Sequence, residues 1–447
     1  MSRISVANLK KTVYYLKRNG LRDTYLAALE RLQENEMANW HFEPISDLEA
    51  RAQREKDWAE GFYCKFSIVV PTYKTPADFL CAMIDSVLAQ TYTDWELILA
   101  DASGDDSVKT EVEKYSDERI IYLPLQKNEG ISDNTNEGLR IATGDYIGLL
   151  DHDDVLTSNA LFEMAAEIEK AYQEKRKADI LYSDEDKCDE TGSNYYEPHI
   201  KKEFNLDLIL SNNYICHFLV MKSSLMKKVG FRKAFDGAQD FDLVLQSVAE
   251  LIEESKDWKN SIIHIPKVLY HWRCHGGSTA VNPQSKMYAY ESGGRAIESF
   301  LDRMGWNAVA EPLKHLGFYR VKYEPDVFAV RPEVAAVGGA VYRKNKITGA
   351  IYERGGKALY LDMRKGFSGY MHRTSLQQEA YAVDIRNVEV RAELRHLYEE
   401  VTGMSYEEMR SGNGKVCREE KDWKTLSLAF AKRVREEGYI ILWDPNK

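Results

Sequence analysis

The chain of 447 residues predicts an α/β fold, a mostly parallel sheet with flanking helices. Two observations predict it. From Phe66 onwards, strand-length apolar runs alternate with helical segments, the signature of βαβ units. The runs also end on Pro71, Asp101 and Asp151, residues suited to a ligand rim rather than to a core. Right-handed crossovers gather such strand ends on one edge, where open α/β sheets bind their ligands.

The elements follow in order. Residues 1–61 are polar and helical, and form an N-terminal arm. Phe66 to Val70 is a strand ended by Pro71, and Phe79 to Gln90 a helix. Glu96 to Ala100 and Ile120 to Leu123 are further strands. Ser132 to Ala142 is a helix, and Tyr146 to Leu150 a strand bounded by Gly144 and Asp145. A helix from Ser158 to Arg176 precedes a strand from Asp179 to Ser183, which leads into Asp184-Glu185-Asp186. Ile262 to Tyr270 is a late strand, and Glu291 to Met304 a closing helix. Residues 325–447 form a further α/β unit, with strands near Val334 to Tyr342 and Tyr439 to Trp443 and a helix from Leu426 to Glu437. Three domains are expected: 1–61, 62–324 and 325–447.

Composition bounds the function. Hydrophobic residues make up 44% and charged residues 29%, ordinary for a globular protein. A net charge of −11 argues against a nucleic-acid binder. The six cysteines (Cys64, Cys81, Cys188, Cys216, Cys274, Cys417) show no C-x-x-C pairing, which points to a reducing cytoplasm and away from structural zinc. No apolar stretch approaches the ~18 residues of a membrane span, and no signal peptide is visible. Residues 1–22 reverse the overall sign, with six basic side chains and no acid. They are read as a solvated helical arm, with a peripheral contact to the anionic inner face of a membrane as the functional alternative.

The chemistry gathers at strand ends. Asp151 and Asp153 lie two apart on an extended segment and face one way, while Asp154 points elsewhere and holds the loop. Carboxylates crowded like this are tolerated around a hard cation, Mn²⁺ or Mg²⁺, which also holds diphosphate oxygens. A helix-capping acidic turn is the bland reading. Asp101, followed by a turn-forming Ser103-Gly104, can accept from a nucleobase edge, with Pro71 and Tyr73 on the neighbouring strand end. Lys127, Asn128 and Gly130 precede a helix whose N-terminus favours anions, and Ser132 can cap it. Asn134 within that helix faces either a polar ligand or solvent. Gln239-Asp240 opens the apolar helix around Phe241 to Val248; Asp240 is a helix cap or a general base for a hydroxyl acceptor. His271, Arg273 and His275, followed by Gly276-Gly277, offer metal ligands and a diphosphate grip, or a packed loop.

The stretches FSIVVPTYKTP, WELILADASGDD, KNEGISDNTNEGLRIATGDYIGLLDHDD, LYSDEDK, GAQDFDLVLQ and YHWRCHGGSTA, in this order over roughly residues 62–325, resemble an inverting family 2 glycosyltransferase of bacterial polysaccharide synthesis. The resemblance implies a GT-A, Rossmann-like fold, a nucleotide-diphosphate sugar donor and a divalent metal. It would place Pro71 and Asp101 in the nucleoside pocket and Asp151 and Asp153 as the D-x-D pair. Asp240 would be the catalytic base, and His275 or His271 would complete the metal site. Asp184, Glu185, Asp186 and Gln239 would face a glycan or lipid-linked glycan acceptor. Ala102 stands where the family has a second acid, and Gln239 where it often has Glu. Residues 325–447 resemble the acceptor half of a degenerate second unit, serving to bind glycan, to build a homo-oligomer contact or to pack. A nucleotidyltransferase would carry a Gly-rich basic loop where PTYKTP stands, and a silent glycan-binding scaffold would not need Asp153, Asp240 and His275.

Overall fold

The structure, a computed structural model, describes residues 6–33, 40–275, 287–410 and 422–447. The Gly276-Gly277-Ser278-Thr279 turn, Cys417 and the first five residues, Arg3 among them, lie outside the described residues. The chain forms two compact units. One comprises residues 35–204 and 213–300, the other residues 1–34, 205–212 and 301–447. The division differs from the expected one. Residues 35–61 join the larger unit instead of an N-terminal arm, the helix up to residue 33 joins the smaller, and the closing helix is divided at residue 300.

In the larger unit, nine strands among the described residues form one mixed sheet. They are β1 (Phe66–Thr72), β2 (Trp95–Asp101), β3 (Ile120–Pro124), β4 (Tyr146–Leu149), β5 (Val155–Leu156), β6 (Ile180–Cys188), β7 (Tyr195–His199), β8 (Leu219–Lys222) and β9 (Ile262–Arg273). The order is β3-β2-β1-β4-β8-β6-β9-β5, with β7 on β6. The first four strands in that order are parallel; β8 runs antiparallel between β4 and β6. This is the GT-A type of α/β fold. Continuous apolar runs such as Ile68-Val69-Val70 and Leu97-Ile98-Leu99 suit strands buried on both faces, and all six side chains are fully buried.

The helix Ala77–Leu88 buries Leu80, Met83, Ile84 and Val87, one stripe at helical spacing. On the helix Ile131–Ile141, Gly138 has a packing reason: a Cβ there would stand 2.6 Å from Val69 Cγ1, so only glycine lets the helix lie this close to β1. Pro71 does not end β1, which runs to Thr72. The pairing with β4 stops at Val69↔Leu149, so the missing proline donor falls beyond the last rung on that side.

Two strands run longer than expected. β6 continues through Asp184-Glu185-Asp186 to Cys188, and β9 through Tyr270 to Arg273. The two pair in parallel along their length, with irregular register at Ser183 to Glu185. Acids enter a strand interior here because each finds a buried partner, as shown below.

In the smaller unit, Val334–Gly338 pairs in parallel with Ile440–Trp443, flanked by Gln378–Ala380 and Val388–Val390. The expected single strand Val334 to Tyr342 breaks after Gly338, where a Cβ would stand 2.4 Å from Val383 Cγ2. The helix Trp423–Glu436 buries Phe430, Ala431 and Val434. Its Ser427 accepts from Ile385 N at 3.0 Å, a bond that ties the helix to the preceding loop. The helix Val6–Gln33 is broken at Gly20 (φ 79°). Its later half is fastened rather than solvated: Leu26 is buried, and Glu30 accepts from Ser368 N at 3.0 Å and Gly369 N at 2.5 Å. Among the described residues, no helix is long and apolar enough to cross a membrane.

Candidate active site

The strand ends place the carboxylates. β1 pairs Thr72 with Asp101 at the end of β2, and β4 delivers Asp151 on the other side of β1. The two aspartates thus share one rim, two strand spacings or about 10 Å apart. Asp151, Asp153 and Asp154 bring carboxylate oxygens within 4.8 Å of one another. Their roles separate by burial. Asp151 keeps half its side-chain exposure and Asp153 about a fifth. Asp154 is fully buried and accepts from Tyr270 Oη at 2.5 Å and Arg273 N at 2.7 Å, so it holds the loop. Although half its side chain meets solvent, the dense protein around Asp151 disfavours its charge. With the Asp153 and Asp240 carboxylates beside it, and against the pull of His217, its carboxyl rises above the ordinary range. Burial, with the Asp153 and Asp151 charges beside it, pushes the Asp154 carboxyl well above the ordinary range.

His275 Nε2 lies 2.8 Å from Asp153 Oδ2, a direct side-chain contact that brings the two together. His271 does not join them. Its Nδ1 bonds Asp186, its ring packs 4.4 Å from Phe42 and 4.3 Å from Tyr195, and it is 3% exposed. Arg273 is also a correction. The guanidinium is buried, with Nε on Asp153 O and Nη1 on Glu190 O at 2.7 and 2.8 Å, so it braces the D-x-D loop from behind.

Asp240 stands in the first turn of the helix Gln239–Glu254 and accepts from Asn213 Nδ2 at 2.9 Å. Its charge adds to the negative field felt by Asp151. Gln239 turns back to accept from Gly237 N at 2.8 Å, a local bond rather than an acceptor contact.

On the nucleoside side, Asp101 is buried and already accepts from Thr72 Oγ1, Ser103 N and Oγ, and Tyr122 Oη. Tyr122 Oη is the one donor recorded on Oδ2 among the described residues, so that oxygen retains accepting capacity. Pro71 is half-buried and Tyr73 is exposed at the loop surface. Lys127 pairs with Glu129. Asn128 accepts from Gly130 N at 3.1 Å and Asn134 Nδ2 at 2.9 Å, so the buried Asn134 organises the loop. The helix N-terminus already has its anion: the Asp236 carboxylate takes Ser132 N at 3.3 Å and the Ser132 hydroxyl, and Ser132 is not the cap.

The triplet Asp184-Glu185-Asp186 is buried and paired, which removes it from the acceptor surface. Asp184 accepts from Lys201 N at 2.8 Å and meets His264 Nε2 at 2.8 Å. Asp186 binds His271 and Trp40 Nε1. Glu185 meets His199 Nδ1 at 3.1 Å, Lys201 Nζ at 3.7 Å and both the backbone and ring of His217. Burial alone would raise the Glu185 carboxyl; Lys201, His199 and His217 outweigh it and hold it well below the ordinary range. A depressed folded value means that this contribution to stability is complete above the unfolded value of about 4.3 and disappears as pH falls through the folded one. Acid titration of folding should therefore show wild type losing stability below about pH 4, and Glu185→Gln should be destabilised at neutral pH by ~3 kcal/mol or more, with a flatter acid limb. Equal acid sensitivity in both proteins would contradict this.

His217 carried no signal in the sequence. It stands beside Asp151 because β4 and β8 pair at Leu149↔Leu219, which sets residues 151 and 217 across from each other. Burial disfavours its charge, but the bond and charge of Glu185, with Asp151 and Asp154, lift its pKa to about 9.

Residues 67–233 match the model of glycosyl transferase family 2. The chain is 41% identical over 241 residues to the uncharacterized protein y4gI of Sinorhizobium fredii, covering 53% of this chain and 25% of that one. It is 31% identical over 273 residues to the O-antigen biosynthesis protein RfbC of Myxococcus xanthus (60% and 20%), and 28% identical over 269 residues to chondroitin synthase of Escherichia coli (58% and 34%). The chain thus spans between a fifth and about a third of the length of these relatives. The family match begins one residue into β1 and runs past the D-x-D strand and His217 to the threshold of Asp240: the chain carries a glycosyl transferase family 2 domain.

Proposed function

We propose that the protein is a metal-dependent inverting glycosyltransferase. It moves a sugar from a nucleotide-diphosphate donor to a hydroxyl of a glycan or lipid-linked glycan in cell-surface polysaccharide synthesis. The observation that supports this reading is the carboxylate cluster of Asp151 and Asp153 just past the C-terminal end of β4, with the Asp240 charge acting on Asp151. The names of two relatives, an O-antigen biosynthesis protein and a chondroitin synthase, support the polysaccharide context.

The residues present fit a hard dication. Oxygen donors from Asp151 and Asp153 with one imidazole from His275 suit Mn²⁺ or Mg²⁺. Such an ion, when bound, neutralises charge on the departing diphosphate, so no general acid is needed. The chain's own residues do the rest. Asp240, oriented by Asn213, takes the proton of the acceptor hydroxyl as its oxygen attacks the anomeric carbon. The bond to the diphosphate oxygen breaks on the opposite face, and the configuration inverts. Arg273 and Tyr270 keep the D-x-D loop in place through Asp153 O and Asp154. Incubation with a panel of nucleotide sugars, Mn²⁺ and glycan acceptors, read by NMR at the new linkage, should give an inverted product from one donor class. A retained configuration would sink the single-displacement mechanism.

A further inference from the structure

We propose that the smaller unit holds a saccharide site, a cleft that takes one neutral sugar ring of a glycan. The proposal goes beyond the transfer chemistry and does not rest on it. Four observations carry it. First, the space is right. The cleft has a volume of about 190 Å³, with walls from the helix Leu206–Ile209 and the strands Tyr319–Tyr323 and Ile440–Trp443. A cavity of roughly 150 Å³ takes up benzene, so this one suits a single six-membered ring. Second, three side chains on the walls carry buried polar atoms with no hydrogen-bond partner among the described residues: Asp207 Oδ2, Trp443 Nε1 and Arg320 Nε. Asp207 is 5% exposed and Trp443 1%. The Asp207 carboxylate is half used, since Oδ1 accepts from Arg331 Nη1 at 3.0 Å. Buried polar groups are costly to leave unpaired and are nearly always paired. One acceptor and two donors together point to a ligand that both gives and takes hydrogen bonds, as hydroxyls do. Third, the cleft has no spare positive charge. Arg320 meets Asp444 at 3.0 Å, Lys447 meets Glu389, and Lys322 Nζ lies 4.0 Å from Glu311. A phosphate or carboxylate ligand would find each cation of the wall already matched by an acid; a neutral sugar needs none. Fourth, Val327 and Phe328, both half-buried, supply an apolar wall for the C–H face of the ring.

The test uses the full chain with a chelator and no nucleotide, so its outcome is independent of the transferase reading. Saturation-transfer NMR with glucose, galactose, N-acetylglucosamine and N-acetylgalactosamine should show at least one of them bound, and inorganic phosphate should not displace it. Trp443→Phe keeps a ring and removes the Nε1 N–H. Arg320→Lys keeps a cation for Asp444 and removes the Nε N–H. Each should weaken the bound sugar by about fivefold or more, with thermal unfolding measured alongside. In the wild type, the sugar should slow hydrogen exchange in residues 319–328 and 440–443. No sugar bound would mean that ordered water alone fills the cleft and would overturn the site, as would displacement by phosphate. Unchanged affinity in either folded variant, or protection confined to other residues, would put the sugar elsewhere and overturn it too.

Discussion

Replacing Asp240 by Asn is expected to abolish transfer while leaving donor affinity unchanged. Asparagine is isosteric and can keep a bond to Asn213, so the first turn of the helix Gln239–Glu254 should hold its shape. On the proposed mechanism, what disappears is the group that takes the acceptor's proton. Positioned general bases contribute about 10²–10⁴-fold, so kcat should fall by that order with the donor Kd within a factor of about two. Steady-state kinetics beside donor titration separates the two effects. Wild-type turnover in Asp240→Asn would put the base elsewhere; a parallel loss of donor binding would make Asp240 a binding residue instead.

Asp153→Asn should act at the other end of the reaction. Asp153 touches His275 and is braced by Arg273 through its own carbonyl, so the substitution changes one carboxylate without disturbing the loop. Loss of this ligand should weaken Mn²⁺ by at least about 100-fold, more than the 10–100-fold typical of an outer-shell partner, and metal-dependent donor binding should go with it. Mn²⁺ titration of the variant, with its thermal unfolding measured alongside, checks this. Full metal affinity would remove Asp153 from the site.

How much of this was legible in the sequence depended on distance along the chain. The run Tyr146 to Leu149 followed by three aspartates is a local pattern, so strand, rim and carboxylate pair could all be anticipated from a few residues. The helix-opening Asp240 was legible for the same reason. What could not be read were partnerships across many residues. Asp184 lies 80 residues from His264 and Asp186 lies 85 from His271. Without those partners the triplet looks like an exposed acidic loop; with them it is the interior of β6. Arg273 likewise is held by Asp153 O and Glu190 O, partners 120 and 83 residues away. Asp236 occupies the helix N-terminus from 104 residues away. His217 sits in an apolar stretch, Cys216 to Met221, where one polar residue reads as core; the β4–β8 register alone brings it to Asp151.

The same long-range pairing fixes the site's side chains. Each half-buried group has a partner: Asn213 for Asp240, Arg273 for the Asp153 carbonyl, Glu185 for His217. Groups fixed in this way need little reorganisation as charge moves in the reaction.

The most direct measurement is calorimetric titration of the wild-type chain with nucleoside diphosphates, once with Mn²⁺ and once with a chelator. If a dication reconciles the Asp151 and Asp153 carboxylates with a diphosphate, one nucleotide binds with Mn²⁺ and its binding vanishes on chelation. Equal affinity in both conditions would contradict the account at its centre.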